Sequence, residues 1–279
     1  MFTDAHCHPF DLARRFPAAE DERRQLGVMC AASAATIEEF TYCERLSQQA
    51  DSAPLLPCFA VHPQMPAVMP AVIQSSCSEQ LAALETLAAQ GRLAAVGETG
   101  FDLYNAAFRE TEEIQGKLFA AHLETALRYN LPLVIHVRRA MHKIFAHTAA
   151  LKKCRAVIFH SWPGTAGEGE ALLRRGINAF FSFGNVIMLN HRAALRCCAV
   201  FPADRLLTET DAPFQPPRGK EFSCYADLDP ILETMTALRR EAGTADLSVA
   251  EMKKVVEENF FSAFGKNFLP RRTRSNTEV

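Results

Sequence analysis

The chain has 279 residues, with 30 basic and 32 acidic side chains and a formal net charge of −2. That length is enough to bury a core, and the near-zero charge excludes a global field for polyanions, so nucleic acid must be met by a local cationic cluster. No stretch reaches the ~18 apolar residues of a membrane span, and no basic segment leads an apolar run at the start. Nine cysteines without framework spacing fit reduced thiols in a cytosolic or nuclear protein better than a disulfide scaffold, and cytoplasmic is the expectation.

In chain order, short apolar runs predict strands at Phe2–His6, Gly27–Ala31, Leu55–Ala60, Leu93–Glu98, Leu133–His136, Ala156–His160, Asn178–Ser182 and Arg205–Glu209. Between them, apolar residues at helical spacing predict helices over Ser78–Gln90, Thr111–Tyr129 and Ala166–Arg175. Asp246–Phe264 reads as a closing helix, and Arg271–Val279 as a polar, frayed tail. Eight strands alternating with helices predict a single α/β domain over residues 1–269, a (β/α)8 TIM barrel. The open doubly wound alternative lacks a glycine-rich phosphate loop after its first strand.

Active sites of such barrels gather at the C-terminal ends of the strands. His6 and His8 follow the first predicted strand two residues apart, a spacing that puts both imidazoles on one face. Glu98, His136 and His160 end later strands, and Asp211 follows the last. Four imidazoles and two carboxylates exceed what one four-coordinate ion takes and suit two divalent ions. Glu98, with two oxygens and a central place in the set, is the bridging candidate. The simplest partition gives His6, His8 and Asp211 to one ion and His136 and His160 to the other. Asp211 doubles as proton acceptor for an activated water. His62, Arg138, Arg139 and Arg218 are expected to bind substrate phosphates, with Lys143 and Lys220 beside them, and Trp162 to stack on a base or pack over the site. Asp102 and Tyr104 are expected to orient a ligand or line the pocket. His122, His142, His147 and His191 read as core or surface residues.

Four segments carry a family resemblance: Asp4-Ala5-His6-Cys7-His8, Val96-Gly97-Glu98-Thr99-Gly100-Phe101-Asp102, Leu131-Pro132-Leu133-Val134-Ile135-His136 and Thr208-Glu209-Thr210-Asp211-Ala212-Pro213. Together they resemble the TatD family of metal-dependent hydrolases, within the amidohydrolase superfamily. The resemblance implies a (β/α)8 barrel, one or two divalent metals (Mg²⁺, Mn²⁺ or Zn²⁺) on His6, His8, Glu98, His136, His160 and Asp211, and hydrolysis of DNA phosphodiester bonds. The segments Ser161-Trp162-Pro163-Gly164, Val137-Arg138-Arg139 and Arg218–Ser223 depart from the family pattern where substrate lies, so hydrolysis is better supported than DNA as its target. The expected function is a deoxyribonuclease, an exonuclease on nucleic acid with DNA preferred, with water activated by two metals and no obligate protein partner. The alternatives are a small-molecule amidohydrolase or phosphoesterase, and a non-catalytic metal-stabilised scaffold. Strand four supplies no lysine that could be carboxylated to bridge the metals, which favours the phosphodiesterase.

Overall fold

The computed structural model describes residues 1–49 and 53–265. Eight parallel strands follow one another around the sheet in chain order: β1 (Phe2–Cys7), β2 (Val28–Ala34), β3 (Leu55–Phe59), β4 (Ala95–Asp102), β5 (Leu133–Arg138), β6 (Val157–Phe159), β7 (Ala179–Phe183) and β8 (Leu206–Thr208). The expected barrel is therefore the observed one. Its seam, between β8 and β1, is tied largely by side chains. Thr208 Oγ1 donates to the Thr3 carbonyl (2.7 Å), and the buried Asp4 carboxylate accepts from the Thr210 amide (3.0 Å) and hydroxyl (2.6 Å). Main-chain bonds from Asp211 N to His6 O (2.9 Å) and from His8 N to Ala212 O (2.8 Å) finish the closure at the rim.

Period-two alternation divides the core in two. One apolar cluster takes a residue from every strand: Ala5, Met29, Leu56, Ala95, Val134, Ile158, Phe180 and Leu207 are among its members, and it fills the lumen. The helix Val249–Phe264, started by a Ser248/Glu251 capping box, plugs that lumen with Phe260 and Phe264. The alternate residues, such as Leu133, Ile135, Val157, Phe159 and Phe181, face the outer helices. The inward series runs up each strand and turns polar near the C-terminal end. Ala31 leads to Ser33, Val134 to His136 and Arg138, Ile158 to His160, and Leu207 to Glu209 and Asp211.

β1 and β4 break this parity, and both carry a register irregularity, between Asp4 and Cys7 and between Val96 and Thr99. The slip turns His6 and Glu98 inward. It also means that Glu98 does not end its strand as expected: β4 continues to Asp102. Two glycines permit the close approach of β4 to β5 there. A Cβ on Gly97 would meet Val134 Cβ at 2.5 Å, and one on Gly100, at φ +139°, would lie 1.9 Å from His136 O.

The predicted helices are present with shifted ends: Pro70–Ala89, Glu112–Arg128, Ala166–Arg174 and Val249–Phe264. The first starts two turns earlier than expected because Pro70 opens it at a position where a missing amide costs nothing. The expected tail, residues 270–279, lies outside the described residues. Among the described residues, no helix is long and apolar enough to cross a membrane.

Candidate metal centre

The six expected ligands converge on the C-terminal rim. Glu98 is buried at the centre with its two oxygens facing different partners. Oε2 lies 3.1 Å from His6 Nε2 and 3.7 Å from His8 Nε2; Oε1 lies 2.8 Å from His136 Nδ1, 3.3 Å from His62 Nε2 and 3.5 Å from His160 Nε2. Asp211 Oδ1 closes the first side, 3.6 Å from His6 and 3.5 Å from His8. Its backbone sits in the left-handed region at φ 53°, a strained conformation of the kind found where a side chain must be aimed.

Three donor groups are close enough to share an ion: His6, His8 and Asp211; His6, Glu98 and His160; and His62, Glu98 and His136, each with its donor atoms within 4.8 Å of one another. The geometry thus adds His62 to the set and brings His160 against His6, with ring centroids 3.9 Å apart. Cys7, between the two histidines, faces the other way. Its thiol lies 3.7 Å from the Ala31 carbonyl, where burial pushes its pKa up.

The donor chemistry fits a cation. The Nε2 atoms of His6 and His8 face each other at 3.1 Å, near enough to share either a proton or a cation. Each of three imidazoles also turns its other nitrogen to a fixed oxygen: His6 Nδ1 to Ser33 Oγ (3.1 Å), His136 Nε2 to Asp102 Oδ2 (3.1 Å) and His160 Nδ1 to Glu209 Oε2 (3.1 Å). This outer ring fixes tautomer and orientation in metal sites. Burial pulls all five imidazoles down in pKa. At His8, His136 and His160 the adjoining carboxylates reverse it; at His6 and His62 burial prevails. Burial likewise raises the Glu98 and Asp211 carboxyls, yet the surrounding imidazoles hold both below the usual range.

Around this centre is a cavity of about 430 Å³, lined among others by His8, Asp11, Glu39, His62, Met65, Arg138 and Phe214. Of the expected substrate residues, His62 and Arg138 line it; Arg139 and Arg218 are exposed outside it. Lys143 and Lys220 are committed to Glu112 and Asp227. Trp162 is corrected: it is 1% exposed and packed among Phe159, Phe181 and Phe201, so its ring is closed to a base. Asp102 takes the orienting place expected for it. Sequence reasoning gave no role to Glu209, Ser33, Gln64 or Gln215. Gln64 Nε2 donates to Asp102 Oδ2 (2.7 Å), and Gln215 Nε2 to Asp211 Oδ2 (2.7 Å). For Glu209 a signal existed, since it stands two residues beyond inward Leu207 and two before Asp211.

An eight-stranded parallel barrel with imidazoles and carboxylates converging on its C-terminal rim defines the class of metal-dependent hydrolase barrels. The chain belongs to the family described as TatD related DNase, which it matches over residues 3–265. It is similar to the uncharacterized metal-dependent hydrolase YcfH of Escherichia coli K12, 28% identical over 279 residues that cover 95% of this chain and 96% of that protein. It is also similar to the 3′-5′ ssDNA/RNA exonuclease TatD of Erwinia tasmaniensis, 36% identical over 172 residues; the aligned part covers 58% of this chain and 64% of that protein. Among solved structures, the TatD homologue YjjV of E. coli K12 superposes with a TM-score of 0.79 at 24% identity, covering 95% of this chain and 98% of that one, which shows the shared fold.

Proposed function

We propose that the protein is a metal-dependent deoxyribonuclease that trims single strands from the 3′ end, acting in the cytoplasm through Glu98, Asp211 and the histidines of the rim. The observation that carries this reading is the two-sided Glu98 carboxylate, one oxygen toward His6 and His8 and the other toward His136, His62 and His160. The name of the Erwinia relative supports a strand end as substrate, and nine free cysteines suit a reducing compartment.

On this reading His6, His8 and Asp211 would hold one divalent ion, and His62, His136 and His160 would serve a second, with Glu98 placed to face both groups. When bound, the ions lower the pKa of water and neutralise phosphate charge. The remaining work falls to the chain. Asp211 accepts the proton of the attacking water, and Gln215 Nε2, donating to Oδ2, holds the carboxylate in place. Asp102 and Glu209 keep the protons of His136 and His160 on the nitrogens that face away from the centre. Arg138, on the cavity wall, pairs with a phosphate oxygen.

The test is the product pattern from 5′-labelled single-stranded DNA incubated with protein reloaded with Mg²⁺, Mn²⁺ or Zn²⁺. A ladder shortening one nucleotide at a time from the 3′ end is expected. Internal fragments alone would refute end trimming, and an inert protein would move the search to small phosphate esters and amides.

A further inference from the structure

The barrel mouth is electrically lopsided, and on the nuclease reading that asymmetry decides how a strand lies in it. Because the strands follow chain order round the barrel, the loops after β1 and β2 stand across the mouth from the loop after β5. On the first side Asp11 and Glu39 line the cavity. Glu39 is pinned, accepting from the Ala35 amide at 2.7 Å and the Thr36 hydroxyl at 3.0 Å. Asp11 has no hydrogen bond or ion pair among the described residues. Ala34, Ala35, Met65 and Val68 add an apolar wall there.

The opposite side is cationic. The Arg138 guanidinium lies 3.6 Å from the centre of the Tyr104 ring and that of Arg139 4.7 Å from it. Arg139 and Arg109 both donate to the Tyr104 carbonyl, at 3.3 and 3.4 Å. None of the three guanidiniums has a carboxylate partner among the described residues; Glu112 and Glu113 nearby are taken by Lys143 and Lys117, and Glu110, next to Arg109, makes no ion pair among them. Three like charges gathered on one exposed tyrosine repel one another unless an anion joins them. Arg138 is part of the cavity wall, whereas Arg139 and Arg109 lie outside it, so the cationic track leads outward.

We propose that this polarity makes the protein selective for a strand end carrying a free hydroxyl. The terminal nucleoside occupies the Asp11–Glu39 half, and the phosphates upstream of the scissile bond leave over the Tyr104 arginine cluster. A cavity of about 430 Å³ is at the small end of ligand sites and suits one nucleotide rather than a strand. The base lies on the Ala35, Met65 and Val68 wall, and the terminal hydroxyl donates to Asp11. A terminal phosphate in that place would face the Asp11 and Glu39 carboxylates.

The experiment compares two 5′-labelled single-stranded oligonucleotides that differ only in a 3′-hydroxyl or a 3′-phosphate. Wild type is expected to cleave the hydroxyl end with at least tenfold higher kcat/KM, and Asp11→Asn to shrink that ratio at least threefold. Arg139→Gln should leave the ratio in place, raise KM for a decamer more than for a dinucleotide, and flatten the salt dependence of decamer binding. Equal rates on both ends, or an unchanged ratio in Asp11→Asn, would overturn the polarity while leaving the nuclease standing. Failure to cleave either oligonucleotide would instead overturn the nuclease reading, and the polarity with it.

Discussion

Replacing Asp102 by Asn puts the logic of the site under the most specific strain. The carboxylate is fully buried and accepts three hydrogen bonds: His136 Nε2 (3.1 Å) and Gln64 Nε2 (2.7 Å) at Oδ2, and Tyr104 N (2.9 Å) at Oδ1. The amide of Asn can keep one oxygen for Tyr104 N, which turns its NH₂ toward the two side-chain donors. Gln64 then loses its acceptor. His136 can accept at Nε2 only by moving its proton to Nδ1, the nitrogen that faces Glu98 at 2.8 Å. The lone pair needed by a metal is thereby occupied. Loss of such an outer partner weakens metal binding by about 10–100-fold, or ~1.4–2.7 kcal/mol. The orphaned donor costs the metal-free fold about 1–3 kcal/mol more. Metal titration of the chelated protein reads the first quantity, urea unfolding the second, and imidazole ¹⁵N shifts the tautomer. A folded Asp102→Asn variant that binds metal within twofold of wild type would refute the tautomer argument.

Two further outcomes follow from burial. Trp162→Ala should lower stability by about 3–5 kcal/mol, read by urea unfolding, and Trp162→Phe should leave the KM for single-stranded DNA within twofold; a large rise in KM for the Phe variant would restore the stacking role. His122 is fully buried, and burial depresses its pKa to about 3. A depressed folded pKa gives stability that is present above the unfolded value of about 6.5 and lost as pH falls toward 3, at up to ~1.4 kcal/mol per pH unit. Unfolding of the metal-free protein between pH 6.5 and 4 should show this slope, and His122→Asn should flatten it; parallel slopes would remove His122 as the cause.

The barrel was legible because its lumen and outer layer both demand apolar residues, so every strand announces itself as a short apolar run. The ligands were legible where parity holds: His136 and His160 continue the inward series of Val134 and Ile158. What stayed hidden has physical reasons. β2 runs on through Ala32, Ser33 and Ala34, small residues with no apolar signal, so Ser33 behind His6 was missed. β4 continues past Glu98 because the register slip and the close approach at Gly97 and Gly100 are tertiary properties. Helices such as Ile37–Ser47 and Leu228–Glu241 carry apolar stripes diluted by charge. Trp162 next to a ligand looked available to substrate, but the chain turns there, with Ser161 at φ 42°, and the indole drops among phenylalanines. Sequence adjacency to a site does not determine which way a side chain turns.

The central claim is that one cluster of rim residues binds divalent metal and thereby cleaves nucleic acid. The most direct measurement is the cleavage rate of single-stranded DNA as chelated protein is titrated with Mn²⁺, for wild type and for Glu98→Gln in parallel. Glu98 touches both sides of the centre, so its neutral analogue should stay folded and lose nearly all activity at every metal concentration, while wild type rises from none to saturation. Equal activity in the two proteins, or cleavage by wild type that persists without metal, would contradict the account.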